Sequence, residues 1–252
     1  MRLREQKYGH DDVRVADTLG NIAVLYQNQG RYSEAKLNYE ECLRIKEMRL
    51  GRENLEVAIT LSSLAEVHEK MDEFDEAEAL YKEALAIKKL KSGHRSMDVA
   101  RTLNSLAGLY RKTQQIPEAL SMYEEGLRIE EARDGHVSMA VAGSLNNIAM
   151  MYFIYFPDRL DEAEAMFKEC IRVEEEILGH DSVEVGKSVG NLGMLYEKQE
   201  RFAEAEESFK EALRIYEMKC GHDAPETARW RRSVATLQPP VLSDIVTTET
   251  DT

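Results

Sequence analysis

The fold of this chain is decided by the stretch Leu19-Gly-Asn-Ile-Ala-Val-Leu-Tyr26 and by the shorter stretch Tyr32-Ser-Glu-Ala35 that follows it. Each stretch recurs four more times, in the same order. The longer stretch recurs at 61–68, 103–110, 145–152 and 189–196, and the shorter one at 74–77, 116–119, 160–163 and 202–205. Five copies in one register indicate a repeat protein rather than a chance likeness.

A glycine precedes each copy and sets the period. These glycines are Gly9, Gly51, Gly93, Gly135, Gly179 and Gly221, spaced 42 residues apart except for one spacing of 44. The period predicts a partial helix of a preceding repeat, then five repeats, a closing helix and a disordered tail. Their boundaries are 1–8 for the partial helix, 9–50, 51–92, 93–134, 135–178 (with a two-residue insertion) and 179–220 for the repeats, 221–238 for the closing helix and 239–252 for the tail.

The apolar spacing within a repeat is that of a helix pair. From Leu19, apolar residues fall at i, i+3, i+4 and i+7, which places them on one helical face. A second stripe runs from Ala35 through Cys42, and Gly30 between the two can adopt the left-handed conformation that ends a helix. Residues that make good N-caps stand three positions after each of the first five glycines: Asp12, Asn54, Ser96, Ser138 and Ser182.

A period of 42 residues alone is also compatible with armadillo, HEAT and WD40 repeats. WD40 repeats need four strands, and no segment here alternates with period two. Armadillo and HEAT pairs lack the small residue followed by tyrosine that Ala23 and Tyr26 show. These features resemble the tetratricopeptide consensus, in the long form found in kinesin light chains and nephrocystins. The resemblance implies an all-α, right-handed superhelical solenoid of helix pairs.

The composition restricts the function classes. The chain of 252 residues has a formal charge of −14, so the phosphate backbone of a nucleic acid would be repelled on average. No stretch approaches the roughly 18 apolar residues of a membrane-spanning helix, and the N-terminal residues lack the pattern of a signal peptide. Three cysteines without metal-ligand spacing indicate a reducing compartment. We expect no nucleic-acid partner, no membrane insertion and a cytoplasmic protein.

No catalytic, cofactor-binding or metal-binding motif is recognisable. Five of the six histidines follow the repeat glycines. Loops one repeat apart lie on the order of 10 Å from each other, whereas zinc ligands lie about 2 Å from one ion. We therefore interpret the histidines as structural or exposed, the acidic run 174–176 as a solvated helix face, and the chain as a protein that is not an enzyme and holds no metal or cofactor.

The resemblance implies that the first helices of the repeats line a concave groove, where an extended peptide of a partner would bind. Asparagine offers a donor and an acceptor to a peptide main chain, and basic residues nearby would favour an acidic peptide. The alternative is a hydrated groove with hydrogen bonds between its helices. The predicted groove residues are Asn21, Asn104, Asn146, Asn147, Asn191, Arg101 and Lys187, with Arg111 and Lys112 near the edge.

The two extra residues of the fourth repeat fall in an aromatic run, 151–157. Such a run is unusual where the other repeats have a polar turn. It predicts either an exposed contact patch or an extended helix that packs on its neighbour. The candidate patch residues are Tyr152, Phe153, Tyr155 and Phe156.

Two functions remain after these exclusions. The first is a protein-interaction scaffold or adaptor, similar to a cargo adaptor, that holds an extended and acidic peptide segment of another protein. The second is a structural or sensor segment of a larger repeat array that self-associates through its N-terminal face. The first repeat suggests the second function, because it has an ordinary apolar pattern where a solenoid end needs a polar one.

Overall fold

The computed structural model describes residues 9–237, and these form eleven α-helices without any β-strand. They belong to two compact units that divide after Gly135. The first unit contains the pairs Val13–Asn28 (α1) and Tyr32–Leu50 (α2), Leu55–Lys70 (α3) and Phe74–Ser92 (α4), and Met97–Lys112 (α5) and Ile116–Asp134 (α6). The second contains Met139–Tyr155 (α7) and Leu160–Leu178 (α8), Val183–Lys198 (α9) and Phe202–Cys220 (α10), and the closing helix Pro225–Thr236 (α11). The predicted all-α class is confirmed, while the segments predicted at 1–8 and 239–252 lie outside the described residues.

The first helix of each pair begins at its predicted N-cap. The Asp12 carboxylate accepts a hydrogen bond from the backbone N–H of Arg14, and the Asn54 side chain accepts one from Glu56. Each cap satisfies a backbone donor that the start of a helix leaves free. In the other three repeats the acceptors are Ser96, Ser138 and Ser182, and the donors are the backbone N–H groups of Val99, Val141 and Val185.

The two helices of a pair are joined through a left-handed residue. Gly30 has a φ of 73°, and Asp72, Gln114 and Glu200 take the same place with φ of 59°, 62° and 60°. A residue with a side chain is strained there by about 1–2 kcal/mol. The fourth repeat differs because its insertion extends α7 to 17 residues and adds a 3₁₀ turn at Pro157–Arg159.

Small residues let the helices of a pair approach closely. In the first repeat, Ala23 and Ala35 are fully buried in one cluster with Tyr39. In the fifth repeat a glycine is needed, because a Cβ on Gly193 would lie 2.8 Å from the Phe209 ring. Cys42 and Cys170 are buried where Ala84 and Ala212 stand in other repeats, as the sequence predicts.

The closing helix α11 is held by one aromatic side chain. Trp230 is buried, stacks on Phe209 with ring centroids 6.1 Å apart, and lies 6.2 Å from the ring of Tyr216. The ring also fills the space above Gly190, where a Cβ would lie 2.3 Å from the indole. The period predicts a closing helix but does not point to this anchor.

The first repeat leaves an apolar side chain uncovered. Leu25 of α1 is 60% exposed, whereas the residues in the same repeat position, Val67, Leu109 and Leu195, are at most 1% exposed. In those repeats the preceding helix pair of the same unit, α1–α2, α3–α4 or α7–α8, packs against the pair that carries the residue. The α1 surface at Leu25 is therefore an apolar surface that faces solvent among the described residues.

Candidate protein-interaction site

A hollow of about 290 Å³ opens between α1 and α3, with α2 as its floor. We call it the α1–α3 hollow. Val24 and Ile59 line it with side chains that are 44% and 49% exposed, and Asn21 also lines it and is exposed. Tyr39 and Cys42 form part of the floor. The hollow combines an apolar lining with an amide that can bond to a main chain.

A buried lysine with two exposed carboxylate partners completes the floor of the α1–α3 hollow. Lys46 is 6% exposed, and its Nζ lies 3.0 Å from Glu56 Oε2 and 3.3 Å from Asp17 Oδ1. Burial by itself would lower the pKa of Lys46, but the hydrogen bond that Lys46 donates to Glu56 and the nearby carboxylates raise it. The charge of Lys46 is therefore neutralised by carboxylates. Because two carboxylates surround one ammonium group, the rim of this hollow carries a small net negative charge.

A second hollow of about 360 Å³ lies between α3 and α5, above Tyr81 of α4. We call it the α3–α5 hollow. Asn104 lines it and donates a hydrogen bond from Nδ2 to Glu130 Oε1 at 3.0 Å. Lys112 at the edge is paired with Glu69 at 2.6 Å. Two residues predicted for the groove thus lie at this hollow, and each has a partner within the protein.

The other predicted cations of the first unit are exposed. Arg101 has a side chain that is 73% exposed and is paired with Asp98 of its own helix at 2.6 Å, and Arg111 is also exposed. Below them on α4, Lys88 is 7% exposed, and its Nζ donates to Ser62 Oγ and Thr102 Oγ1, both at 2.8 Å. Burial lowers the pKa of Lys88, and Arg101 lowers it further, while Asp98 opposes the shift.

The second unit brings the remaining groove residues together on α7 and α9. Asn191 is buried and donates from Nδ2 to Asn146 Oδ1 at 3.1 Å, so this pair forms the bond between helices that the alternative interpretation anticipated. Asn147 is half-buried and Lys187 is exposed. Asn191 uses its amide donor within the unit, and Asn147 and Lys187 are both more exposed than Asn191.

The aromatic run of the fourth repeat divides between the core and the surface. Tyr152 is buried, with its ring 5.9 Å from Phe156 in an edge-to-face contact and Arg159 3.9 Å above it. Phe153 is half-buried under the ammonium group of Lys198, 4.8 Å from the ring centroid, and Tyr155 is also half-buried. The run therefore packs largely on its own unit, and Tyr152 does not belong to an exposed patch.

Sequence reasoning missed a set of buried charges. These residues stand four positions after the small core residue of each second helix, which puts them on the same inward face. Glu174 is 7% exposed, so the interpretation of 174–176 as a solvated face is wrong for this residue. Burial raises the pKa of the Glu174 carboxyl. The regular spacing could have revealed the set, which consists of Lys46, Lys88, Glu130 and Glu174, with Tyr216 in the fifth repeat.

The row of histidines lies beside carboxylates. His10 is 3.3 Å from Glu41, and His180 is 2.5 Å from Glu175 and 3.1 Å from Glu211. The hydrogen bond to Glu175 raises the pKa of His180. Among residues 9–237, no group of three or more His, Cys, Asp or Glu side chains is arranged to hold a metal ion. In the same part of the chain, no helix is both long and apolar enough to cross a membrane.

Tetratricopeptide repeat models match the chain at 15–56, 56–132, 140–218 and 190–238. These matches cover most of the sequence, and the chain belongs to the tetratricopeptide repeat family. Proteins built from these repeats are in general interaction scaffolds rather than enzymes.

Within that family, the solved structures similar to this chain include proteins of the kinesin light chain type. BtubC (BKLC) from P. vanneervenii has a TM-score of 0.75 at 23% identity, over 88% of this chain and 87% of that one. The nearly identical TPR-like repeats of a kinesin light chain-type protein from Podosopora anserina have 0.69 at 19%, over 82% and 96%. The apo form of RapI has 0.72 at 13%, over 87% and 81%. The predicted resemblance is confirmed at the level of the fold, and no curated protein matches the sequence.

Proposed function

We propose that the chain is a cytoplasmic adaptor that holds an extended peptide segment of a partner protein against the first helices of its repeats. The observation that carries the proposal is the α1–α3 hollow, where exposed Val24 and Ile59 flank exposed Asn21. Exposed aliphatic side chains at the mouth of a hollow are a feature of binding surfaces. A hollow of about 290 Å³ has room for one large apolar side chain of the peptide.

Asn21 and Arg101 bind different parts of the peptide in this proposal. Asn21 bonds to the peptide main chain, which is the same in every sequence. Arg101 selects peptides that carry an acidic residue, because its guanidinium is exposed and Lys88 below it has only hydroxyl partners. The contact of an exposed Arg101 with a peptide carboxylate adds only about 0–1 kcal/mol in water. In the second unit, Asn147 and Lys187 supply the same two chemical types.

Peptide binding tests this proposal directly. The probe is a set of unstructured peptides with one large apolar residue, in which a neighbouring position is Glu, Gln or Lys. Asn21→Ala should weaken every peptide alike, by roughly 1 kcal/mol per lost hydrogen bond. Arg101→Glu should weaken the Glu peptides selectively, and added salt should have the same effect.

Two variants control this experiment. Asn28→Ala removes an exposed amide from the end of α1, and Arg133→Glu reverses an exposed charge on α6. Neither residue lines the two hollows. If the controls weaken binding as much as Asn21→Ala and Arg101→Glu, or if the parent binds no peptide, the first helices are not the site.

A second function is favoured by the exposed Leu25. We propose as an alternative that the α1 surface binds another protein chain, including a second copy of this one, as part of a larger array. Leu25→Glu should then abolish concentration-dependent association in sedimentation velocity. Leu90→Glu is the matched control, since Leu90 is 64% exposed on α4. A parent protein that sediments as a monomer at high concentration contradicts self-association.

A further inference from the structure

Two of the five repeats contain an ion pair between the loop before the first helix and an arginine of the second helix. In the first repeat, Arg44 Nη2 lies 2.6 Å from Asp11 and 2.7 Å from Glu41. In the fifth repeat, Arg214 makes the same two contacts with Asp181 at 2.6 Å and Glu211 at 2.7 Å. The geometry of the repeat therefore places a loop carboxylate against the arginine of the second helix.

In the third repeat the equivalent arginine, Arg128, contacts neither of the two carboxylates. The loop position holds Arg95 instead of an acid. Glu125, which corresponds to Glu41, is paired with Lys89 of α4 at 3.0 Å. Arg128 keeps one hydrogen bond, from Nε to the backbone oxygen of Glu124 at 3.1 Å. Among the described residues, no carboxylate lies within ion-pair distance of Arg95 or Arg128.

The two arginines line one hollow. It has a volume of about 530 Å³ and lies between the α4–α5 loop and α6. His94 lines it beside Arg95, and the buried Ile129 forms part of its wall. In a protein with a formal charge of −14, this hollow gathers two guanidinium groups and an imidazole, and Glu125, the one carboxylate among its lining residues, is paired with Lys89.

We propose that this hollow, the repeat-3 basic hollow, binds a phosphate monoester. The space that the Asp11 and Asp181 carboxylates occupy in their repeats is here open to a ligand oxyanion. A guanidinium binds such an oxyanion with two parallel N–H donors, and two guanidiniums match the double charge of a phosphate monoester better than the single charge of a carboxylate. Binding would also relieve the repulsion between the two cations.

The ligand is defined by the phosphate, which could belong to a phosphorylated side chain of a partner protein or to a small phosphorylated molecule. The site uses the α4–α5 loop and α6, whereas the proposed peptide site uses α1, α3 and α5. It therefore goes beyond the peptide-binding function, and each can fail without the other.

Calorimetric titration tests the proposal with three probes: inorganic phosphate, a phosphoserine peptide and the same peptide without phosphate. Buffers of low and matched ionic strength are needed because salt screens exposed charges. We expect phosphate and the phosphopeptide to bind with a dissociation constant on the order of 1 mM or tighter. Tighter binding of the phosphopeptide than of phosphate identifies a protein partner, and equal binding identifies a small phosphorylated ligand.

The decisive variant is Arg95→Asp. It restores the loop acid of the first and fifth repeats, so it should fold and melt at the same or a higher temperature than the parent. It should weaken phosphate binding by roughly tenfold or more, because a charge-assisted contact is lost and its arginine partner is neutralised. Arg133→Asp, on α6 and outside the hollow, is the matched control for the change of net charge.

Three results would overturn the proposal. One is the absence of phosphate and phosphopeptide binding by the parent protein. Another is an equal loss of affinity in Arg95→Asp and Arg133→Asp, which would show attraction by overall charge instead of a site. The third is unchanged affinity in Arg95→Asp.

Discussion

The repeat position that holds Lys88 in the first unit holds Glu174 in the second, and the third repeat of the first unit also has a glutamate there, Glu130. Lys88 and Glu174 are both 7% exposed, and Lys88 donates to the hydroxyl groups of Ser62 and Thr102 while Glu174 lies beside the hydroxyl of Ser188. Neither makes a salt bridge within the described part of the chain. In the fifth repeat, Tyr216 holds the position under Trp230 of the closing helix. The comparison teaches that the repeat geometry tolerates either charge or an aromatic ring at one inward place. The contacts that accompany burial differ: hydroxyl groups lie beside Lys88 and Glu174, and the Trp230 ring covers Tyr216.

The largest effect is expected where the second unit is closed by an aromatic ring. Gly190→Ala places a Cβ 2.3 Å from the Trp230 indole, so α11 must move or detach. Overpacking of this kind costs about 1–3 kcal/mol and occasionally more. Urea unfolding followed by circular dichroism measures the loss.

The control for Gly190→Ala is Gly143→Ala, since Gly143 lies within α7 of the same unit with no atom within 4 Å of an added Cβ. That variant should gain stability by about 0.5–1 kcal/mol, because alanine is the better helix former. Equal effects of the two substitutions would contradict the account of Trp230 as the anchor.

A smaller effect is expected from Glu174→Gln, which should stabilise the protein at neutral pH by roughly 1 kcal/mol. Burial raises the pKa of Glu174 in the folded state. Protonation of Glu174 therefore stabilises the folded state in full below about pH 4.5, the ordinary glutamate pKa. This contribution is lost as the pH rises through the raised pKa of the folded state. Thermal melts from pH 4 to 8 should show the variant and the parent converging at acidic pH. A gap that does not change with pH would contradict this prediction.

The first unit offers the opposite charge for the same test. Burial lowers the pKa of Lys88, so the folded state holds its proton less tightly than the unfolded chain does, and Lys88→Met should be neutral or stabilising at pH 7 by up to about 1 kcal/mol. Lys46→Met is the matched comparison in the same position one repeat earlier. It should destabilise the protein, because Lys46 is paired with Asp17 and Glu56. Chemical denaturation of both variants distinguishes the two environments, and a change of the same sign in both would remove the distinction.

The smallest effect concerns the left-handed turns. Gln114→Gly should raise the free energy of unfolding by about 0.5–1 kcal/mol. Relief of the left-handed backbone strain stabilises the folded state, and the greater freedom of glycine in the unfolded chain offsets part of that gain. Gly30→Ala should lose a similar amount, since both residues take the same conformation. Asp72→Gly should change stability less, because aspartate tolerates this conformation better than glutamine. Melting temperatures of the three variants provide the measurement, and a destabilised Gln114→Gly would contradict the assignment of strain.

These comparisons also show what the sequence could predict. The N-caps, the small residues of the helix pairs and the turn at Gly30 follow from short-range patterns, so the period was sufficient to locate them. The period could have shown that Glu174 shares its repeat position with Lys46 and Lys88, but the degree of its burial depends on how the next pair of helices covers α8. The pairing of Asn146 with Asn191 is of the same kind, because it joins residues 45 positions apart. For the closing helix, the period predicts the segment 221–238, while the role of Trp230 depends on its contacts with Phe209 and Tyr216 of another helix.

The indole of Trp230 gives the molecule a built-in optical reporter. It is the single tryptophan of the chain, and it is buried. Its fluorescence should therefore be blue-shifted while α11 is docked and should shift to longer wavelength when water reaches the ring. Detachment of the closing helix can thus be followed separately from the unfolding of the other ten helices, without any attached label.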